Sequence, residues 1–252
     1  MIQNPIHKAL LTFRKSSVRF LLMGGQACIL YGAAEFSRDL DLSISIAPEN
    51  LALLHEALNF LQAEQIFVPN VDTLALSRGH ACHFRCHALE AKGLRIDLMA
   101  KMRGCSDFEK LYERRAIVNL PEIGDTDLLS LPDLVQSKKT QREKDWHMIR
   151  RLIETDILQF QNNPDGNKIR FWLKECRTPF HLVSLAFDYP DLCQEVIGIR
   201  PLLEHALKED LNLLEERLKM EESMEKEKDR EYWLPLKKEL EKWRREKHSQ
   251  KK

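Results

Sequence analysis

The apolar positions of the chain fall into two regimes. Up to about residue 120 they come in short runs separated by turn residues, and beyond it they recur at helical spacing among increasingly dense charges. Residues 6–15 read as a short helix. Residues 18–23 form a β-branched and aromatic-containing run that stops at Gly24-Gly25, as a buried strand entering a turn does. Residues 26–34 have helical composition. Residues 40–46 alternate apolar side chains with Asp41, Ser43 and Ser45, which predicts a strand with one polar face. Leu51, Leu54, Ala57, Leu58 and Leu61 make one helical stripe over residues 50–62. Two further strands, 80–89 and 94–100, flank the turn Glu90-Ala91-Lys92-Gly93.

After Pro121 the pattern changes. Ser130 suits an N-cap and Pro132 a first turn, so a helix is predicted from there to about residue 158. Its inward stripe is apolar at both ends and polar in the middle, where Lys138, Arg142 and Asp145 fall. Residues 162–167 are a clear break, and the helices after it are punctuated by Pro179, Pro190 and Pro201. From about residue 207 Lys, Arg and Glu dominate around a thin series of Leu211, Leu214 and Leu218, predicting long solvated helices, a hairpin around Pro235 and a frayed tail from Arg244. The fold class expected is α/β in the α+β sense, a small mixed sheet followed by an all-helical C-terminal region. The divisions are 1–125, 126–205 and 206–252.

Composition narrows this picture only a little. At 252 residues, 43% hydrophobic and 31% charged with a formal net charge of zero, the chain can bury a substantial core but has no basic excess for a broad nucleic-acid surface. A local grip on an RNA end stays open. No apolar run approaches the roughly 18 residues that span a bilayer, so no membrane is expected, and residues 1–20 lack a secretory pattern. The six cysteines are irregularly spaced, which points to reduced thiols and a cytoplasmic protein.

The chemistry is concentrated between residues 23 and 42. Two glycines after a strand let the backbone turn sharply and bring its N–H groups close to a phosphate, and a helix starting there adds the positive end of its dipole. Asp39 and Asp41, two apart on a strand, project from one face. Carboxylates so close repel unless a cation lies between them, and magnesium is the natural hard cation for oxygen ligands beside phosphates. Asp97 lies in a mostly apolar strand, where a charge must be paired or metal-bound. If that strand lies beside the first, three aspartates can share Mg2+ and clamp an in-line phosphoryl displacement.

Gly24-Gly25, Tyr31-Gly32, Arg38-Asp39-Leu40-Asp41-Leu42 and the later strand Asp97 resemble the polymerase-β-type nucleotidyltransferase superfamily. They are most similar to its small bacterial branch, which includes toxin-type enzymes of the AbiEii kind. The resemblance covers about residues 19–154. It implies that Asp39 and Asp41 bind both metals, that Asp97 binds the catalytic one and activates the acceptor hydroxyl, and that residues 1–125 are the catalytic domain. Nucleotide contacts are expected from Gly24, Gly25, Ser37 and Arg38. The family often has serine where this chain has Gly25, which puts one phosphate contact in question. The family carries a comparable lysine and Arg/Asp pair in the helix after its sheet, so Lys138, Lys139, Arg142 and Asp145 are expected at the nucleotide. A self-satisfied Arg142–Asp145 pair is the alternative.

The activity expected is transfer of a nucleoside monophosphate from an NTP, with pyrophosphate release, to an RNA end such as tRNA, a protein hydroxyl or a small molecule. A toxin role with an antitoxin partner is part of that expectation. A nucleotide-binding or interaction protein that kept the fold without turnover is the other reading. Weaker signals resolve more plainly. Cys82, Phe84 and Cys86 face away from His83, Arg85 and His87 on a strand, which excludes a tetrahedral zinc site. Arg78, His80 and Arg85 are expected near Asp97. Residues 101–104 and 113–115 read as a solvated basic face, and Trp233 and Trp243 as candidate partner anchors.

Overall fold

The computed structural model describes residues 4–249. Among the described residues the chain forms two compact units, one of residues 4–30, 34–137 and 231–249, the other of residues 31–33 and 138–230. No helix among the described residues is long and apolar enough to cross a membrane.

The first unit is built on a mixed seven-stranded sheet. In chain order it contains α1 (Asn4–Lys15), β1 (Phe20–Met23), α2 (Gly24–Leu30), β2 (Asp39–Ile44), α3 (Pro48–Phe60), β3 (Ala63–Gln65) and α4 (Thr73–Arg78). There follow β4 (Cys82–Cys86), β5 (Arg95–Met99), α5 (Phe108–Glu113), β6 (Ala116–Leu120), β7 (Gly124–Leu128) and α6 (Leu131–Ser137). The strand order is β3-β4-β5-β2-β1-β7-β6. At its centre β2 pairs antiparallel with β1 and parallel with β5, which in turn pairs antiparallel with β4. The fold class is therefore the mixed α+β one that the pattern predicts.

Period-two alternation explains how β2 sits. Leu40, Leu42 and Ile44 are fully buried, while Asp39 and Asp41 are half-buried on the opposite face. Strand β4 behaves likewise, with Cys82, Phe84 and Cys86 buried and His83 and Arg85 facing out of that layer. Strands β6 and β7 lack a clear strand pattern: Ala-Ile-Val-Asn-Leu is apolar but short and not alternating, and Gly-Asp-Thr-Asp-Leu is too polar to announce a strand.

The second unit is helical: α7 (Glu143–Phe160), α8 (Gly166–Glu175), α9 (Pro179–Asp188), α10 (Pro190–Ile197), α11 (Leu203–Leu207) and the start of α12 (Leu211–Ser249). Two expectations need correction. The helix expected from Ser130 to about residue 158 is two helices, because residues 138–142 leave the helical path. Their polar groups are satisfied otherwise: Trp146 Nε1 donates to the Thr140 carbonyl at 2.7 Å, the Thr140 hydroxyl accepts from Arg142 N, and Asp229 accepts from Gln141 N at 3.0 Å. The expected hairpin at Pro235 is instead a continuous 39-residue helix, and residues 244–249 of the expected frayed tail are helical; residues 250–252 lie outside the described residues. The penalty for a proline inside a helix is offset by tertiary contacts within the first unit. Leu236 is buried, and His80 Nε2 lies 2.8 Å from Glu239, which also pairs with Arg78. The Trp243 ring centre is 4.7 Å from that of His80. Along the start of α12, Leu214 and Leu218 are buried and Leu211 is exposed.

Candidate functional site

The site grows out of one ladder. In the β2–β5 pairing, Asp41 is the register partner of Asp97 and Asp39 that of Arg95. Paired residues of neighbouring parallel strands point to the same side about 4.8 Å apart, so the sheet collects Asp39, Asp41 and Asp97 on one face. The juxtaposition that the sequence leaves conditional is thus formed.

Glycines decide what stands beside these acids. Strand β1 delivers Met23 opposite Asp41, and the next residue, Gly24, has φ +64°. A Cβ on Gly24 would lie 2.6 Å from the Cβ of Asp41 and closer still to its carboxylate, so only glycine leaves that carboxylate its place. At Gly25 a Cβ would lie 2.7 Å from the Cβ of Ser37, and nearer its hydroxyl. Ser37 therefore fills the space that a side chain at position 25 would need. It is fixed there by Gln26, whose Nε2 donates to the Ser37 carbonyl at 3.0 Å, and its hydroxyl donates to the Asp39 carbonyl at 3.3 Å. Arg38 is exposed, its guanidinium over the Phe36 ring.

Asp97 has two partners that the sequence pattern alone does not reveal. His83 Nδ1 lies 2.8 Å from Asp97 Oδ1, and Arg95 Nε donates to the same oxygen at 2.8 Å. Burial of Asp97 works against its ionisation, but the hydrogen bonds and charges of His83 and Arg95 together outweigh it and hold the carboxyl below the usual range. Both residues were within reach of pattern arguments. Arg95 is two before Asp97 and so shares its face, and His83 lies on the polar side of β4. What was missing is the β4–β5 register, which sets His83 opposite Asp97.

Arg78 and His80, expected near Asp97, are instead engaged by Glu239, whose carboxyl the His80 hydrogen bond chiefly holds below its ordinary range. Arg85 is exposed on β4. Arg114 makes a two-pronged pair with Asp133 and Arg115 pairs with Asp127, so these members of the basic cluster are tied to carboxylates. Trp243, expected to anchor a partner, packs on His80. None of the six cysteines is joined in a disulfide, and burial pushes the Cys82 thiol up to about 12 and Cys86 to about 11, so neither is poised as a thiolate.

Lys138, Lys139, Arg142 and Asp145 belong to the second unit. Since residues 138–142 are not helical, the inward polar stripe is not a helix face. Asp145, with only 4% of its side chain exposed, receives Arg142 Nε at 2.7 Å and the Thr140 hydroxyl at 2.6 Å, with Lys138 Nζ at 3.6 Å. Lys139 pairs with Glu175 at 2.8 Å. This is a locally satisfied cluster around the start of α7.

A divalent cation fits the acidic face in donor chemistry: three carboxylates on adjoining strands, one of them cradled by Gly24. As the side chains stand, however, no three acidic, histidine or cysteine groups among the described residues are gathered closely enough to hold a metal ion. Asp97 is turned to Arg95 and His83.

The chain matches no protein-family model and no curated protein. Among solved structures it is similar to a candidate nucleotidyltransferase from H. pylori, at 15% identity and a TM-score of 0.39, covering 85% of this chain and 94% of that one. It is similar at the same identity and TM-score to JHP933 from Helicobacter pylori, covering 87% of this chain and 93% of that one. Likeness this distant assigns neither a family nor an activity.

Proposed function

We propose that this chain is a magnesium-dependent nucleotidyltransferase that moves a nucleoside monophosphate from an NTP to an acceptor hydroxyl and releases pyrophosphate. The observation that carries the proposal is the register of β2 on β5, which aligns Asp41 with Asp97 and sets Asp39 on the same face. In this reading Asp39, Asp41 and Asp97 would hold magnesium, which supplies charge neutralisation at the phosphates and at the attacking and leaving oxygens. The backbone turn at Gly24-Gly25 admits the triphosphate close to the sheet, and the Ser37 hydroxyl offers the side-chain contact that Gly25 lacks. Arg38, exposed beside that turn, is a candidate partner for phosphate oxygens. By the family resemblance, Asp97 is also the carboxylate that would activate the acceptor hydroxyl.

The resemblance to toxin-type enzymes favours an RNA end or a protein side chain as acceptor, and an antitoxin as partner. A role for Lys138, Lys139, Arg142 and Asp145 in nucleotide binding is a separate proposal that rests on sequence pattern. Unchanged triphosphate affinity in Lys138→Ala and Lys139→Ala variants would remove it. The Arg95–Asp97 pair favours a second reading, a nucleotide-binding protein without turnover. The two part in one assay: the protein with each labelled NTP, magnesium and total RNA or lysate, beside an Asp39→Ala/Asp41→Ala variant. Label appearing on an acceptor only with the intact aspartates supports the enzyme. Equal labelling by the variant, or none from any acceptor pool, sinks it.

A further inference from the structure

Carboxylates facing one way on neighbouring strands need a counter-charge, and on this sheet the protein itself provides one. Arg95 rises from the same face of β5 as Asp97 and is the register partner of Asp39. Besides its bond to Asp97, its second terminal nitrogen lies 3.2 Å from His83 Nδ1. One guanidinium thus bonds Asp97 directly and stands in register with Asp39, on the face that carries all three acids. A guanidinium does not deprotonate near neutral pH, so this charge cannot titrate away. It can only be outcompeted or moved.

We propose that Arg95 is the resident counter-ion of the acidic face and that a divalent cation binds there in competition with its guanidinium, so that Arg95 sets how tightly the metal is held. The inference rests on the nucleotidyltransferase reading of Asp39, Asp41 and Asp97. One observation supports the competition: the hydrogen bonds of Arg95 and His83 to Asp97 both fall on Oδ1, so that oxygen is already committed. His83 would keep its bond to Asp97 when Arg95 yields, holding the carboxylate in place.

The test is Mn2+ binding to the whole chain, read by electron paramagnetic resonance, in the wild type, Arg95→Gln, Arg95→Lys and Asp39→Asn/Asp41→Asn. Loss of a half-exposed competing charge predicts roughly fivefold tighter binding by Arg95→Gln. Arg95→Lys, which keeps the charge, should stay within about twofold of the wild type. The double aspartate variant should lose binding. If the wild type binds Mn2+ and folded Arg95→Gln binds equally or more weakly, the competition is wrong while the carboxylate site stands. If neither binds, or if the double aspartate variant binds like the wild type, the metal reading of the aspartates falls first. Should Arg95→Gln fail to fold, the wild type labelled with 15N-arginine decides. The side-chain Nε–H signal missing from Arg95→Lys should move as Mg2+ saturates the protein, and a stationary signal overturns the inference.

Discussion

Replacing Gly24 by alanine adds one methyl group to the residue that turns the chain from β1 into α2. Two costs follow from its geometry. The backbone is left-handed at φ +64°, which penalises a side chain by about 1–2 kcal/mol. The new methyl would also lie 2.5 Å from the Cγ of Asp41, and displacing that side chain adds about 1–3 kcal/mol, as overpacking does elsewhere. Together these give roughly 2–5 kcal/mol. At about 2–4 °C per kcal/mol for a chain of this size, the midpoint of thermal unfolding falls by roughly 4–20 °C. Gly93 provides the control. Its φ is +83°, but a Cβ there would meet nothing within 4 Å, so Gly93→Ala carries the backbone cost alone. Thermal unfolding of both variants, followed by circular dichroism, isolates the contact with Asp41 as the difference between them. Adding Asp41→Ala to Gly24→Ala should recover part of the loss, a coupling that distant sites do not have. If Gly24→Ala melts no lower than Gly93→Ala, the Asp41 carboxylate does not occupy that space and the cradle is wrong.

Gly25→Ser should destabilise by about 1–3 kcal/mol through its clash with Ser37, and Ser37→Gly in the same chain should relieve most of that; additive effects in urea unfolding would show that the two positions do not share space. Asp97 has its folded pKa below the usual carboxylate value, so its stabilising contribution is present above the unfolded value of about 4 and is lost as pH falls through the folded one. The stability gap between the wild type and Asp97→Asn should therefore narrow below about pH 4, and a gap that stays constant into strong acid would contradict the pairing. Leu40→Ala removes a fully buried side chain from the face of β2 opposite the aspartates, so it should cost about 2–5 kcal/mol in unfolding free energy while leaving Mn2+ affinity unchanged. Lost Mn2+ binding in a folded Leu40→Ala protein would argue that the two faces of the strand are not independent.

Local chemistry made several parts of the protein legible. The stop at Gly24-Gly25, the alternation that put Asp39 and Asp41 on one face and the helical character after Pro121 each follow from neighbours a few residues apart. Where the local pattern misleads, a distant residue decides the outcome. Thr140, Trp146 and Asp229 satisfy backbone groups that a helix through residues 138–142 would otherwise use, and no period in that segment announces them. Pro235 reads as a breaker, yet Tyr232 before it and Leu236, Glu239 and Trp243 after it hold the helix against Gly79 and His80. The basic run at Arg114 and Arg115 looks free until Asp133 and Asp127 are folded against it.

The sequence by itself determined that three aspartates lie in strands and that two of them share a face, because side-chain direction in a strand depends only on parity along the chain. It also determined that two glycines stand where β1 must turn. Only the tertiary structure decided that β5 docks on β2 with Asp97 level with Asp41, and that β4 then brings His83 to the same carboxylate. Strand pairing joins segments more than fifty residues apart, and slipping the register by one residue would leave every local pattern unchanged while sending Asp97 to the other face. The same docking set Arg95 among the acids, and so gave the site its own counter-charge.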